Sequence, residues 1–182
     1  MKRLFAIGMC TLLLTACGKH EGMNNNKGTT TQEVMAGQIT SAVIEKEKNP
    51  ELRKKLVEAA LQENKFGDLV GVEGLNTPEP YSLKIEYKGK ENLSDKMTVK
   101  SIQLTVRDAV YAIKELDLNI DHIKVNVKYP FTDKYGNSSD RYVIKSNYSG
   151  DTLQRLNKDR KNFKEENLPD IADEWWAHPS FK

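Results

Sequence analysis

One stretch constrains the fold of this chain more than any other. Tyr81-Ser-Leu-Lys-Ile-Glu-Tyr87 alternates without a fault: Tyr81, Leu83, Ile85 and Tyr87 face one way, and Ser82, Lys84 and Glu86 the other. A period of two belongs to a β-strand with one dry and one wet face. Such a strand needs neighbours in a sheet and a layer of structure over its apolar side.

A second run alternates in the same way, through Ile123, Val125, Val127, Tyr129 and Phe131. Pro130 inside it predicts a strand that lies at an edge or ends there. Asp133-Lys-Tyr-Gly-Asn-Ser-Ser139 reads as a hairpin turn, with Gly136 and Asn137 able to take positive φ. Arg141–Tyr148 returns from it, with Tyr142, Ile144 and Tyr148 on one face. Lys88–Asp95 is a polar loop, and Met97–Leu104 reads as the return strand of the first hairpin. Thr105 then stands as an N-cap, with Asp108 three residues on as an approximate capping box. Val106, Ala109, Val110 and Ile113 form a helical stripe to about Leu116, ended by Asp117-Leu-Asn119.

Helices flank this half. In Gln32–Lys48, residues Met35, Ile39, Ala42 and Val43 share a face. Asn49 and Pro50 cap and open a second helix over Pro50–Lys65, with Leu52, Leu56, Ala59 and Phe66 as its stripe, Ala60 widening it and Gly67 closing it. Leu69 to Pro80 is a Gly/Pro connector that admits a short strand. Gly150-Asp151 starts a short helix holding Leu153 and Leu156. The expectation is an α+β fold: a small antiparallel sheet, β-β-α-β-β, with N-terminal and C-terminal helices packed on one face. The expected divisions are 1–16, 17–31, a helical segment 32–66 and an α+β domain 67–182.

The N-terminus carries an address. Lys2 and Arg3 precede a short apolar run from Leu4 to Leu14, too short to span a bilayer but suited to a signal core. Leu14-Thr15-Ala16-Cys17 resembles the lipobox of bacterial lipoproteins. The resemblance implies lipid on the Cys17 sulfur and removal of residues 1–16. Two or more acyl chains would hold the mature protein stably on the outer face of a membrane. Gly18–Thr31 is polar and reads as a flexible tether spanning roughly 20 Å. Gly18 in place of Asp gives no signal for inner-membrane retention, and the Lys- and Asn-rich composition leans towards a Gram-positive host.

Loss of Lys2 and Arg3 from the 28 basic residues balances the 26 acidic ones. A neutral mature chain lacks the basic footprint of a nucleic-acid binder. Of the two cysteines, Cys10 leaves with the signal and Cys17 is claimed by lipid, so neither thiol catalysis nor a disulfide framework is expected. His20, His122 and His178 lack ligand-spaced neighbours, and no phosphate loop, dinucleotide fingerprint or nucleophile elbow is present. No metal or cofactor is therefore expected. Asp133, Asn137 and Asp140 could offer oxygens to calcium, but their spacing departs from the EF-hand and suits a polar turn. The acidic series Glu165, Glu166, Asp170, Asp173 and Glu174 reads as a solvated helix start, capped by Asn167.

The tail from Ile171 to Phe181 holds both tryptophans. Two readings stand: Trp175, Trp176, His178 and Phe181 fold back to close the core, or they form an exposed contact patch.

From Tyr81 to Phe181 the chain resembles a family of small uncharacterised lipoproteins and secreted proteins of Gram-positive bacteria. The resemblance is carried by Asp133-Lys-Tyr-Gly-Asn137, Asp151-Thr-Leu-Gln-Arg-Leu-Asn157 and Leu168-Pro-Asp-Ile-Ala-Asp173, with Trp176 and His178-Pro-Ser-Phe181. It implies that the tail belongs to the domain, and it lends no catalytic residue. The expected function is that of a non-catalytic protein-interaction module, lipid-anchored on the extracytoplasmic face of the cell membrane, with an envelope protein as partner. Binding of a small molecule or an envelope polymer, with Tyr and Trp as stacking surfaces, is the alternative.

Overall fold

The computed structural model describes residues 49–181. Cys17, the signal peptide, the tether and the helix predicted over 32–48 lie outside the described residues. Helix α1 spans Pro50–Gln62, and its N-cap is Asn49, whose Oδ1 accepts from the Glu51 and Leu52 amides at 3.0 and 3.4 Å. Its buried residues are Leu56, Val57 and Leu61, so the stripe is rotated from the one predicted. Gly67 does not close this helix. It opens strand β1, Gly67–Glu73, where the connector was expected to admit only a short strand.

Strand β2, Tyr81–Gly89, has the two-sided burial its alternation predicts. The next element differs from the expectation. Met97–Leu104 is not a return strand but part of helix α2, Asp95–Leu116, and Thr105 lies in its interior. Ser94 is the N-cap, accepting from the Met97 amide. The physical reason lies in the stripe. Thr98, Ser101 and Thr105 occupy buried positions that continue the spacing of Ile102, Val106, Ala109 and Val110. Small polar residues there hide the 3.6-residue period from a hydrophobicity reading. Their hydroxyls all find partners: Thr105 Oγ1 donates to the Ser101 carbonyl at 3.0 Å, Ser101 Oγ donates to the Phe66 carbonyl at 3.4 Å, and Thr98 Oγ1 accepts from the Asn92 amide at 3.1 Å.

A helical crossover changes the sheet. Strand β3, Ile120–Thr132, runs parallel to β2, and β4, Ser138–Ser149, pairs antiparallel with β3. Helix α3, Gly150–Arg155, follows as predicted, and helix α4, Leu168–Ile171, precedes strand β5, Glu174–Ala177. The five strands lie in chain order, and the one parallel pair among antiparallel ones makes the sheet mixed, where an antiparallel four-stranded one was expected. The α+β class holds. β3 is also interior and not an edge strand. Pro130 is accommodated because the last β2 partner stands at Lys128, leaving β3 with only β4 beside it further on.

Leu83, Ile85 and Tyr87 of β2 and Ile123, Val125 and Val127 of β3 pack against Ile102, Val106, Val110 and Ile113 of α2. Close seating of the helix depends on two paired glycines. Gly67 faces Gly89 across β1 and β2, and a Cβ on either would stand 2.6 Å from Thr105 Cγ2 or 2.9 Å from Ile102 Cγ1. The described helices therefore cover one face of the sheet, and the alternate residues of all five strands look outward on the other.

Candidate functional site

Strand register assembles the outer face into rows. One row runs Glu73, Lys84, Lys124, Asn147, Glu174 from β1 to β5, and the next runs Gly71, Glu86, Asn126, Lys145, Trp176. A third holds Asp68, Lys88, Lys128 and Tyr142. Tyr142 was expected on one face with Ile144 and Tyr148. A register shift corrects this: Val127 pairs with Ile144 but Lys128 with Tyr142, so Val143 is an extra residue and Tyr142 turns outward.

Tyr142 organises the middle of the face. Its hydroxyl donates to Glu86 Oε2 at 2.8 Å, and Lys128 Nζ donates to Glu86 Oε1 at 2.5 Å. Burial pushes the Glu86 carboxyl up, but these two bonds and the charges of Lys128 and Lys84 outweigh it, holding it below the usual glutamate value. The Lys145 ammonium lies 4.7 Å from the Tyr142 ring centre and 5.6 Å from that of Trp176, bridging the two rings. Beside it an open groove of about 420 Å³ is lined by Lys124, Asn126, Tyr142, Lys145, Asn147 and Trp176, with Glu174 at its β5 side. Asn147 Oδ1 is buried without a hydrogen-bond donor.

The four tail residues predicted as one site are separated by the period of β5. Trp175 pairs with Ser146 and packs on the core, whereas Trp176 pairs with Lys145 and stands 45% exposed on the outer face. Phe181 is buried, its ring 5.3 Å from Tyr129 and 5.9 Å from Phe131. The His178 ring lies between the two groups, 5.0 Å from Phe131 and 6.3 Å from Trp176. Trp175 and Phe181 therefore close the core, and Trp176 is presented to solvent.

The acidic series is not uniformly solvated. Glu165 is buried against α2, its carboxylate 3.0 Å from Lys100 Nζ and 3.8 Å from Arg107 Nη1. Asp173 accepts from the Ser149 amide and from the Thr152 hydroxyl, tying the approach to β5 to the first turn of α3. Asn167 occupies the cap position of α4 without a side-chain bond. Asp133 Oδ1 accepts from the amides of Tyr135 and Asn137, and Gly136 takes φ +86°. Asp140 pairs with Lys88. Among the described residues no cluster of three or more His, Cys, Asp or Glu side chains is arranged to hold a metal ion.

A serine, a histidine and an aspartate do meet at the start of β2 and β3. Asp121 Oδ2 lies 2.8 Å from His122 Nδ1, and Ser82 Oγ lies 3.3 Å from the same nitrogen. A nucleophilic relay needs the carboxylate on one ring nitrogen and the serine on the other. Here both sit on Nδ1, and Ser82 bonds Asp121 directly at 3.0 Å, which makes an exposed polar knot.

The outer face was legible only as the wet side of each strand. Lys124, Asn126, Tyr142, Lys145 and Asn147 carry no local motif, and only the register brings them to Trp176. No family model, curated protein or solved structure matches this chain.

Proposed function

We propose that this chain is a membrane-anchored extracytoplasmic lipoprotein acting as a non-catalytic interaction module at the cell envelope, and that its binding surface is the outer face of the sheet. The address rests on the signal-like segment ending at Cys17 and on the polar tether behind it. No helix among the described residues is long and apolar enough to cross a membrane, so attachment in this reading comes from lipid on Cys17. One observation carries the choice of surface. Among the described residues no helix packs on the outer face of the five-stranded sheet, and an exposed Trp176 stands in that face next to a groove. Exposed large aromatics in a partly polar setting are the usual anchors of binding surfaces.

Mass spectrometry of the native protein tests the address, with acyl chains on Cys17 and loss of residues 1–16 as the expected result. A Cys17→Ser chain should leave the membrane pellet. Binding is tested by the retention of lipidated protein on isolated envelope fragments. A Trp176→Ala variant with unchanged far-ultraviolet circular dichroism should be retained at least tenfold less. Equal retention would remove the outer face from the proposal.

A further inference from the structure

Two cations in the groove beside Trp176 are left without a counter-charge. Three other lysines of the outer face, Lys84, Lys88 and Lys128, each hold a carboxylate, of Glu73, Asp140 and Glu86. Lys124 and Lys145 line the groove, are exposed, and form no salt bridge among the described residues. Asn126 stands between them, two residues along β3 from Lys124 and paired across to Lys145. Two carboxylates border this pair. Glu86, opposite Asn126 on β2, is taken up by Lys128 and Tyr142. Glu174, at the β5 side, forms no salt bridge with either lysine. The groove therefore presents more positive than negative charge. Lys145 is also held in place, its ammonium 4.7 Å from the Tyr142 ring centre and 5.6 Å from that of Trp176. A side chain restrained before binding loses less freedom when an anion joins it.

Lysine and tryptophan make different demands on an occupant. The two ammonium groups call for anions, whereas the face of an indole carries partial negative charge and repels them. Trp176 is the register partner of Lys145, so both demands fall on neighbouring positions. A polymer charged at every repeat would have to lay an anion on the ring. A polypeptide can set carboxylates on the lysines and an apolar side chain on Trp176. Spacing agrees. Lys124 and Lys145 are diagonal neighbours on antiparallel strands, which places them roughly 7 Å apart, and alternate side chains of an extended peptide repeat at about 6.6 Å. From these terms we infer that the groove binds an acidic, extended segment of a partner protein. Two alternate carboxylates lie on Lys124 and Lys145, and an apolar side chain covers Trp176. The inference rests on the outer face being the binding surface, and it names the partner class for that surface. Charges at an exposed site act through salt-dependent steering as well as contact, so the complex weakens as salt rises.

The test uses the lipidated full chain in non-ionic detergent micelles and the fluorescence anisotropy of three labelled peptides. The first repeats Glu-Gly-Glu-Gly-Leu-Gly, the second has glutamine for glutamate, and the third has glycine for leucine. The expected result is binding of the first at least tenfold tighter than of either other. Lys124→Gln combined with Lys145→Gln and, separately, Trp176→Ala should each weaken it tenfold or more while the melting temperature stays within a few degrees of wild type. Lys124→Arg combined with Lys145→Arg should keep it. Equal binding of the glutamate and glutamine peptides, no binding of the first at millimolar concentration, or unchanged binding by both weakening variants would overturn the inference. Inorganic polyphosphate that binds as tightly as the first peptide, without dependence on Trp176, would make the occupant a phosphate polymer and the inference wrong. Envelope fragments separate its failure from failure of the surface itself. Retention there that depends on Trp176 but not on the two lysines would sink the acidic partner and keep the surface. Retention that survives protease treatment of the fragments would mean that the occupant is no protein, which also overturns the inference.

Discussion

Replacing Phe181 by alanine tests whether the last turn of the chain is part of the fold. The side chain is 7% exposed and packs on Tyr129 and Phe131 of β3. A buried phenylalanine removes about 170 Å² of apolar surface from water, worth about 4 kcal/mol at 25 cal/mol per Å². Unfolded chains already hide part of that surface, which lowers the figure to about 3 kcal/mol. This is the low end of measured Phe→Ala costs, as suits a chain end that can relax by fraying. For a domain of roughly 130 residues the melting temperature should fall by about 10 °C. Urea unfolding at constant slope, read beside a thermal melt, gives both numbers. A shift under 2 °C would refute the reasoning, because it would mean that Phe181 contributes no burial and the tail is an appendage.

Four further outcomes follow from the same geometry. Gly74→Ala should cost about 2–3 kcal/mol, because φ is +102° and a Cβ would stand 2.0 Å from the Ser82 carbonyl oxygen. Gly71→Ala, with nothing within 4 Å, should stay within about 0.5 kcal/mol by the same melt. Burial raises the Glu165 carboxyl, but a backbone amide and the charges of Lys100 and Arg107 outweigh it and hold it below the usual glutamate value. Its pairing therefore stabilises the fold above the ordinary glutamate range and is lost as pH falls through the lowered value. Glu165→Gln should destabilise by about 1–2 kcal/mol at pH 7 and far less near pH 3, measured by urea unfolding at both. Asn49→Ala should remove the α1 cap and cost about 1 kcal/mol in the same assay.

Some elements were legible because their signals are local. The alternation of Tyr81–Tyr87 is a property of that stretch alone, and so are the Asn49-Pro50 cap and the Asp133–Asn137 turn. Helix α2 was misread over Met97–Leu104 because its first buried turns use Thr98, Ser101 and Thr105, polar residues whose burial a hydrophobicity reading does not anticipate. Thr105 seats directly over Gly67, a long-range contact that no local pattern announces.

Sequence alone determined which strand residues could be wet and which dry, because side-chain direction in a strand follows a period of two regardless of its neighbours. It also determined that Trp175 and Trp176 must part company if their segment is extended. Register lay beyond it. The parallel pairing forced by the α2 crossover, the extra residue at Val143 that turns Tyr142 outward, and the placement of β5 against Lys145 and Asn147 are choices among long-range pairings. Each is settled by packing between segments tens of residues apart, so the groove beside Trp176 exists only in the folded sheet.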